Sequence, residues 1–361
     1  MCGEMSKFLQ KPVTPVTVGK KSIGQLTDAM AETGFQGRKL GESVQIWADM
    51  LREENITIMM GLSGAMVPAG MRKIIAWMIR ERMIDVLVSS GAQLFHDVHE
   101  ALGNYHWKGS AHVDDEELLD ESVDRMYDVF GEEQKFRKTD RWVQGIIEKL
   151  ELERPVSSRE FIGLLGKELL ALKAEDSIVG EAARAGVPVF CPALADSSIG
   201  YSFVMARRGW KDGKQGRRLL RTDKRFIVVD NIADADETVQ IAERAKMTGV
   251  VYIGGGVPKN FIQQTELLNL ILGVEMPGHE YAVQYTTDAP HWGGLSGCTF
   301  EEAVSWGKIG RRAKTAQVFV DATIALPIVA HALYDNALEI ARKRKKPAFD
   351  WGNGELKLTY G

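Results

Sequence analysis

The sequence predicts a doubly wound α/β fold, and three observations carry that prediction. From about residue 57 short apolar runs alternate with longer amphipathic ones, as a parallel sheet covered by helices reads in one dimension. The apolar runs end in small, hydroxyl-bearing or acidic residues, the chemistry found where such sheets meet a ligand. With 361 residues and 45% hydrophobic content the chain is long enough to bury one sizeable core.

Taken in order, residues 1–55 read as an N-terminal helical segment. "ITIMMGLS" is the first strand, followed by the helical spacing of "PAGMRKIIAWMIRERM", with Pro68 suited to a first turn. "IDVLVSSGA" is the next strand. Residues 113–175, typified by "DDEELLDESVDRMYDVF", break the strand rhythm without a Pro/Gly/Ser linker and read as a helical insertion. The strands "VPVFCPALAD", "RFIVVD", "GVVYIGGGV", "EYAVQYTTD" and "AQVFVDAT" follow, each separated from the next by a helical segment. The expected whole is a single domain over 1–361, a mostly parallel Rossmann-like sheet with that insertion. Between the strands, residues 207–225 are a basic glycine-containing loop, for which solvation is the simpler reading because only Trp210 offers a base a stacking surface. "ARKRKK" at 341–346 closes a long helix, where cations meet the negative end of its dipole.

Composition narrows the function. A net charge of −4 gives no basic field to hold nucleic acid, and no run of 18 apolar residues exists to span a membrane. The N-terminus lacks a signal-peptide core, so a cytoplasmic protein is expected. The three cysteines, Cys2, Cys191 and Cys298, are scattered and form no CxxC pair; this fits a reducing compartment and argues against structural zinc. Cys2 follows no hydrophobic segment and is not a lipidation site. His96 and His99, three apart on a helix, invite a metal reading, but they match neither H-E-x-x-H nor H-x-x-E-H and have no third ligand in view; no metal is expected.

The strand ends are the candidate site: Ser63-Gly64, Ser90-Gly91, Asp196-Ser197-Ser198, Gly254-Gly255-Gly256, Thr287-Asp288 and Asp321-Ala322. Small residues let backbone amides approach a pyrophosphate, hydroxyls donate to it, and aspartates accept from ribose hydroxyls. No G-x-G-x-x-G follows the first strand, so each glycine cluster alone is also explained by turn geometry. Lys308, in "EEAVSWGKIGRRA", lies between the last two strands with Glu302 and Trp306 before it, and close in the chain to two strand ends. Most lysines simply cover a solvated face. Lys308 instead has an aromatic π-face and a carboxylate nearby, a setting for an amine nucleophile.

"EEAVSWGKI" with "VFVDA" resembles the catalytic segment of the deoxyhypusine synthase family, most like its bacterial deoxyhypusine synthase-like members. "TGFQGRKLGES", "GAMVPAGMR", "VPVFCPALADSSIG" and "YIGGGVPKNFI" resemble the family's other blocks in the same order. The resemblance implies NAD-dependent transfer of an aminobutyl group from spermidine through a lysine imine to an amine acceptor. On this chain it assigns Lys308 as nucleophile with Glu302 and Trp306 beside it, and Ser63, Gly64, Ser90, Gly91, Asp196, Gly255, Thr287, Asp321 and Ala322 to NAD. It also implies a homotetramer with active sites at subunit contacts. On the substrate side His96, Tyr201 and Leu295 stand where protein-modifying members place acidic residues, and Asn260 where they place a histidine. A polycation loses roughly 1 to 3 kcal/mol per missing buried carboxylate. The expected acceptor is therefore a small amine such as putrescine, giving homospermidine. Deoxyhypusine synthesis on a translation factor is the first alternative and an idle NAD-binding scaffold the second. A sirtuin-like deacylase would need a cysteine zinc ribbon that three scattered cysteines cannot build.

Overall fold

The computed structural model describes residues 9, 11–211, 213–352 and 354–361; Cys2 lies outside them. Its centre is a sheet of six strands: β1 Ile56–Leu62, β2 Val86–Ser89, β3 Val189–Phe190, β4 Met247–Ile253, β5 His279–Thr286 and β6 Ile309–Phe319. The spatial order is β3-β2-β1-β4-β5-β6, with every pairing parallel. Alternate side chains leave opposite faces, so the sheet separates two cores. Ile58, Met60, Val251, Ile253, Val283 and Tyr285 meet the helices Phe35–Arg52, Arg72–Arg80 and Ala322–Lys343. Met59, Val250, Tyr252 and Ala282 meet the helix Gly256–Ile271, the short helix Phe300–Ser305 and the hairpin Pro347–Gly352/Glu355–Tyr360. The doubly wound α/β fold is therefore as the alternation of the sequence predicts. Among the described residues no helix is long and apolar enough to cross a membrane.

Local rules set many of the ends. Ser22 and Ser157 each form a capping box, with Gln25 and Glu160, and start the helices Ile23–Ala31 and Ser158–Ala171. The chain between residues 11 and 22 has no regular structure, so within the expected helical segment 1–55 the helices occupy residues 23–52. Pro68 is in the first turn of the helical element after β1, as its fixed φ suits. It belongs to a wide turn, Val67–Met71, and Gly70 at φ 86° breaks that turn from the helix Arg72–Arg80.

Two expected elements are corrected. "RFIVVD" is not a strand of the sheet: Val229 makes only one bridge, to Val156, and Asp230 turns away to cap the helix Asn231–Arg244. The insertion at 113–175 is not helical throughout. After the helix Asp115–Asp120 come two antiparallel strands, Val123–Met126 and Val129–Glu132, joined to Trp107–Lys108. Ser122 and Tyr127, at φ 56° and 59°, set the turns, and Arg125 pairs with Asp115 at 2.6 Å. The acidic run masked the Val and Phe residues that favour a hairpin. The helices Glu133–Ile147 and Ser158–Ala171 complete the region.

One buried carboxylate holds the β2–β3 side together. Asp97 accepts from Arg72 Nε at 2.7 Å, Ser177 Oγ at 2.8 Å, and the Ile178 and Val179 amides at 2.9 Å each. It joins three helices beneath the crevice described below. Asp97→Ala leaves two buried amides without a partner and the buried Arg72 guanidinium with only Glu175 O at 3.4 Å and Glu100 at 3.8 Å, and is expected to cost about 3 to 5 kcal/mol in urea unfolding. A loss below about 1 kcal/mol would remove this carboxylate from the account of stability.

Candidate active site

Because all six strands run parallel, their carboxyl ends share one edge, and the strand order reverses direction between β1 and β4. Ligands of open parallel sheets lie in the crevice at such a reversal. Two turns meet there: Ser63-Gly64 after β1 and Gly254-Gly255-Gly256 after β4. The Ser63 amide donates to Ile253 O at 2.9 Å and its hydroxyl to the Gly255 carbonyl. Gly64, Gly254 and Gly256 have φ of 82°, 72° and 54°, a region that L side chains rarely enter. Along the same edge, Ser90-Gly91 follows β2, Asp196 lies beyond β3, Thr287 follows β5, and Asp321-Ala322 follow β6. The nine residues expected to hold the cofactor thus stand on one edge.

The residues present there fit a pyrophosphate-bearing cofactor. The helices Gly91–Ala101, Ser198–Arg207 and Gly256–Ile271 start at this edge without a cap from the residue before them; the first amides of Gly91–Ala101 and Ser198–Arg207 are left to an anion, whereas the Gly256 amide donates to Ser296 Oγ at 3.0 Å. A Cβ on Gly91 would overlap Ser197 Oγ, and one on Gly255 would overlap Ser296 Cα, so both turns are closed to larger residues. Asp321 caps its own helix, its Oδ1 accepting from the Thr323 amide at 2.7 Å and hydroxyl at 2.6 Å. These bonds, the side-chain one first, hold its carboxyl below the usual range. The group is ionised and exposed, as an acceptor for a ribose hydroxyl must be.

Lys308 reaches the site by another route than chain proximity. Thr299 Oγ1 accepts from the Glu302 amide at 3.1 Å and starts the helix Phe300–Ser305. Gly307, at φ 73°, reverses the chain, and the Lys308 amide donates to Ala303 O at 3.1 Å. β6 begins at the next residue, and its Ile309 pairs with His279, the first residue of β5. The Lys308 backbone is therefore at the opposite end of these strands from Thr287 and Asp321. Lys308 is close to those strand ends in the chain, as the sequence reads, but Phe300–Ser305 carries its backbone along the sheet face to the other end of the strands.

A polar network on that face makes the connection. Gln284, inside β5, donates to Gly254 O at 2.8 Å and to Ser296 O at 2.7 Å. Its Oε1 accepts from Lys259 Nζ at 2.9 Å and from Gln317 Nε2 at 3.0 Å. Lys259 Nζ also donates to Cys298 O at 2.6 Å. The glycine turn of the crevice is thus tied to the segment that leads into the Lys308 helix. Lys259 is buried, and burial brings it down to about 8; Cys298 and Glu302 act against that shift and Lys308 adds to it. Lys308 is half-buried, its Nζ 5.4 Å from the centroid of the exposed Trp306 ring. Glu302 is exposed beside it and couples to the Cys298 thiol, which burial pushes up. Lys259, Gln284, Gln317 and Ser296 were not among the sequence candidates. Gln284 and Gln317 could have been noticed as lone amides inside apolar strands, where an unpaired polar group is costly.

The four substrate-side positions fall on two sides. Asn260 is the fifth residue of Gly256–Ile271 and Leu295, exposed, is in the loop after β5, both with the Lys308 half. His96 and Tyr201 stand on Gly91–Ala101 and Ser198–Arg207, the β2–β3 half. Tyr201 is exposed. His96 Nδ1 lies 2.9 Å from His106 Nε2, and His106 Nδ1 lies 2.7 Å from Glu100 Oε1. Burial, then His106 and His99, lowers His96 to about 3, so its ring is neutral. His96, His99 and His106 all pack against Phe136 and do not converge on a point. Among the described residues no group of three or more His, Cys, Asp or Glu is placed to hold a metal ion.

Sheet order and a small-residue edge at the reversal define a doubly wound, Rossmann-like α/β protein. Comparison with known proteins makes this specific. The family model described as deoxyhypusine synthase matches residues 25–333. "Probable deoxyhypusine synthase 2" of Methanosarcina mazei is 56% identical over 98% of both chains. Its namesake in Archaeoglobus fulgidus is 54% identical over 89% of this chain and 99% of its own. A "Deoxyhypusine synthase-like protein" of Coxiella burnetii is 35% identical over 91% and 90%. The chain belongs to the deoxyhypusine synthase family. Its bacterial likeness stands at the last of these values. The crystal structure of a "putative deoxyhypusine synthase" from Entamoeba histolytica shares the fold, with a TM-score of 0.57 at 15% identity over 87% of this chain and 93% of that one.

Proposed function

We propose that this chain is an NAD-dependent transferase that moves an aminobutyl group from a spermidine-like donor, through Lys308, to a small amine such as putrescine. NAD, when bound, supplies the hydride acceptor for donor oxidation and returns the hydride at the end. The uncapped helix starts after Ser90 and Ser197 hold its pyrophosphate against the glycine turn after β4, and Asp321 accepts from a ribose hydroxyl. Lys308 Nζ, as the free amine, adds to the imine carbon of the oxidised donor. Diaminopropane leaves, and the four-carbon unit stays on Lys308 as an imine. The acceptor amine adds at the same carbon and Lys308 departs with the electron pair of its C–N bond. Glu302 and Trp306 hold the cationic end, by charge and by π-face.

The observation that carries this reading is the Gln284 network, which links the glycine turn of the crevice to the Lys308 segment. The small-amine acceptor rests on His96, Tyr201, Leu295 and Asn260: a neutral imidazole, a phenol, an alkyl group and an amide offer no carboxylate to a long polycation. The homotetramer with active sites at subunit contacts is carried by the resemblance alone. Deoxyhypusine synthesis on a translation factor is the second reading, favoured by the names of the archaeal relatives.

Mass spectrometry of products tests these readings together, with spermidine, NAD, putrescine and a lysine-bearing translation factor in one mixture. Homospermidine formed faster than modified protein is the expected result, without net accumulation of NADH. Faster protein modification would establish the second reading. Retained NAD with no product from any amine would leave a scaffold.

A further inference from the structure

No step of the proposed reaction uses the histidine-rich segment after β2, yet three of its side chains are linked in a row. Glu100 Oε1 lies 2.7 Å from His106 Nδ1, and His106 Nε2 lies 2.9 Å from His96 Nδ1. The direction of these bonds follows from the first member. A carboxylate only accepts, so His106 Nδ1 carries the hydrogen; an uncharged ring then has a bare Nε2, which accepts from His96 Nδ1–H. His96 Nε2 is thereby left with a lone pair. Among the described residues nothing bonds to that atom, and unlike Nε2 of His99 it is not buried. His99 stays outside the row, its Nδ1 3.0 Å from Thr139 Oγ1.

The helix places His96 where a ligand can reach it. Ala92, His96 and Glu100 recur four apart on the outer side of Gly91–Ala101, whereas Gln93, Leu94, Asp97 and Val98 are buried. That outer row begins at the crevice edge, and His96 stands about 7.5 Å along the axis from Gly91. Helical side chains lean toward the N-terminus, so the imidazole leans back toward the same edge. Phe136 packs against both rings, at 5.5 Å from His96 and 6.1 Å from His106, and limits their rotation.

We propose that His96 is a specificity-determining residue of the amine pocket: Glu100 and His106 fix its tautomer, so that Nε2 presents a lone pair, and no charge, to an N–H of the polyamine donor. The inference rests on the reading that this crevice takes a polyamine. The opposite tautomer, or an imidazolium, would turn a hydrogen toward the amine and repel it. Burial, followed by His106 and His99, keeps a second proton off the His96 ring. A neutral acceptor selects an amine by its N–H and holds it less strongly than a carboxylate would, because only the charged partner adds Coulomb attraction.

NMR of the ring nitrogens in histidine-labelled protein tests the tautomer, at about pH 8, above the ordinary imidazole range. The signal lost in His96→Phe identifies the residue. Wild-type His96 is expected to carry hydrogen on Nδ1 and none on Nε2. His106→Gln should keep this pattern, since an amide donates to Glu100 and accepts from His96 as the ring does, and His106→Phe should lose it. Spermidine binding is then read by calorimetry with NADH bound, so that no hydride can be accepted. His96→Phe is expected to weaken it about ten- to a hundredfold, with kcat at saturating donor changed less than about threefold. His106→Phe should weaken it about three- to tenfold, and His106→Gln less than about twofold. Hydrogen on Nε2 of the wild type, a loss confined to kcat, or equal losses in His106→Gln and His106→Phe would overturn the proposal. Wild-type protein that binds spermidine but transfers nothing would overturn the proposed function instead, and the spectrum and the calorimetric comparison would still decide the role of His96.

Discussion

Lys308→Arg is expected to lower aminobutyl transfer by about 10⁴-fold or more while NAD still binds. Arginine keeps the positive charge and most of the length, so the contact with Trp306 survives. It stays protonated at any working pH, and a protonated guanidinium has no lone pair with which to attack a carbon. The site argues for this separation of effects. The Lys308 backbone stands at the start of β6, away from the turns expected to hold the pyrophosphate, so the substitution changes only the side chain that meets the reacting carbon. NAD affinity, read by fluorescence titration, should change less than about threefold, within roughly 0.7 kcal/mol. Near wild-type transfer by the variant would return Lys308 to an ordinary surface role.

Gly255→Ala is expected to weaken NAD binding by about ten- to a hundredfold. A Cβ there would overlap Ser296 Cα, and overpacking of a fitted turn costs about 1 to 3 kcal/mol. Ser296 cannot yield freely, since its Oγ accepts from the Gly256 amide at 3.0 Å and its carbonyl accepts from Gln284 at 2.7 Å. A shift at Ser296 therefore disturbs both the start of the helix at the crevice and the network toward Lys308. Gly163→Ala is the matched control. Gly163 lies in the helix Ser158–Ala171 with nothing within 4 Å of a new Cβ, so the change should leave NAD affinity alone. It should also add about 0.5 to 1 kcal/mol of stability. Equal effects of the two variants would contradict the account of the crevice.

Five of the six sheet strands were legible because each carries a short, mostly apolar run closed by small residues, although only the part of β6 from Ala316 read as strand, since Arg311, Arg312 and Lys314 precede it. The shortest, Val189–Phe190, was legible through its flanks alone. "RFIVVD" misled for the same reason: its apolar run makes a single bridge before Asp230 starts a helix, with Ile227 buried and Val228 exposed, and composition does not distinguish that from a ladder. The hairpin at 123–132 was hidden because charge density near Asp115 reads as helix, while the turn residues Ser122 and Tyr127 give no glycine or proline signal. Of the site, the strand-end residues could be read directly, since parallel strands bring their ends together whatever their order. Lys259, Gln284 and Gln317 could not. Their meaning depends on register between β5 and β6 and on which face each residue leaves, and a sequence gives neither until the strands are paired.

The central claim is a covalent one, and borohydride trapping during turnover tests it most directly. Wild-type protein with NAD and spermidine, quenched with borohydride and digested, should yield a single modified peptide containing "AVSWGK", with the four-carbon amine attached to Lys308 as a secondary amine. Omission of NAD should abolish the adduct. Label on any other lysine, or turnover of the donor with Lys308 unmodified, would contradict the account.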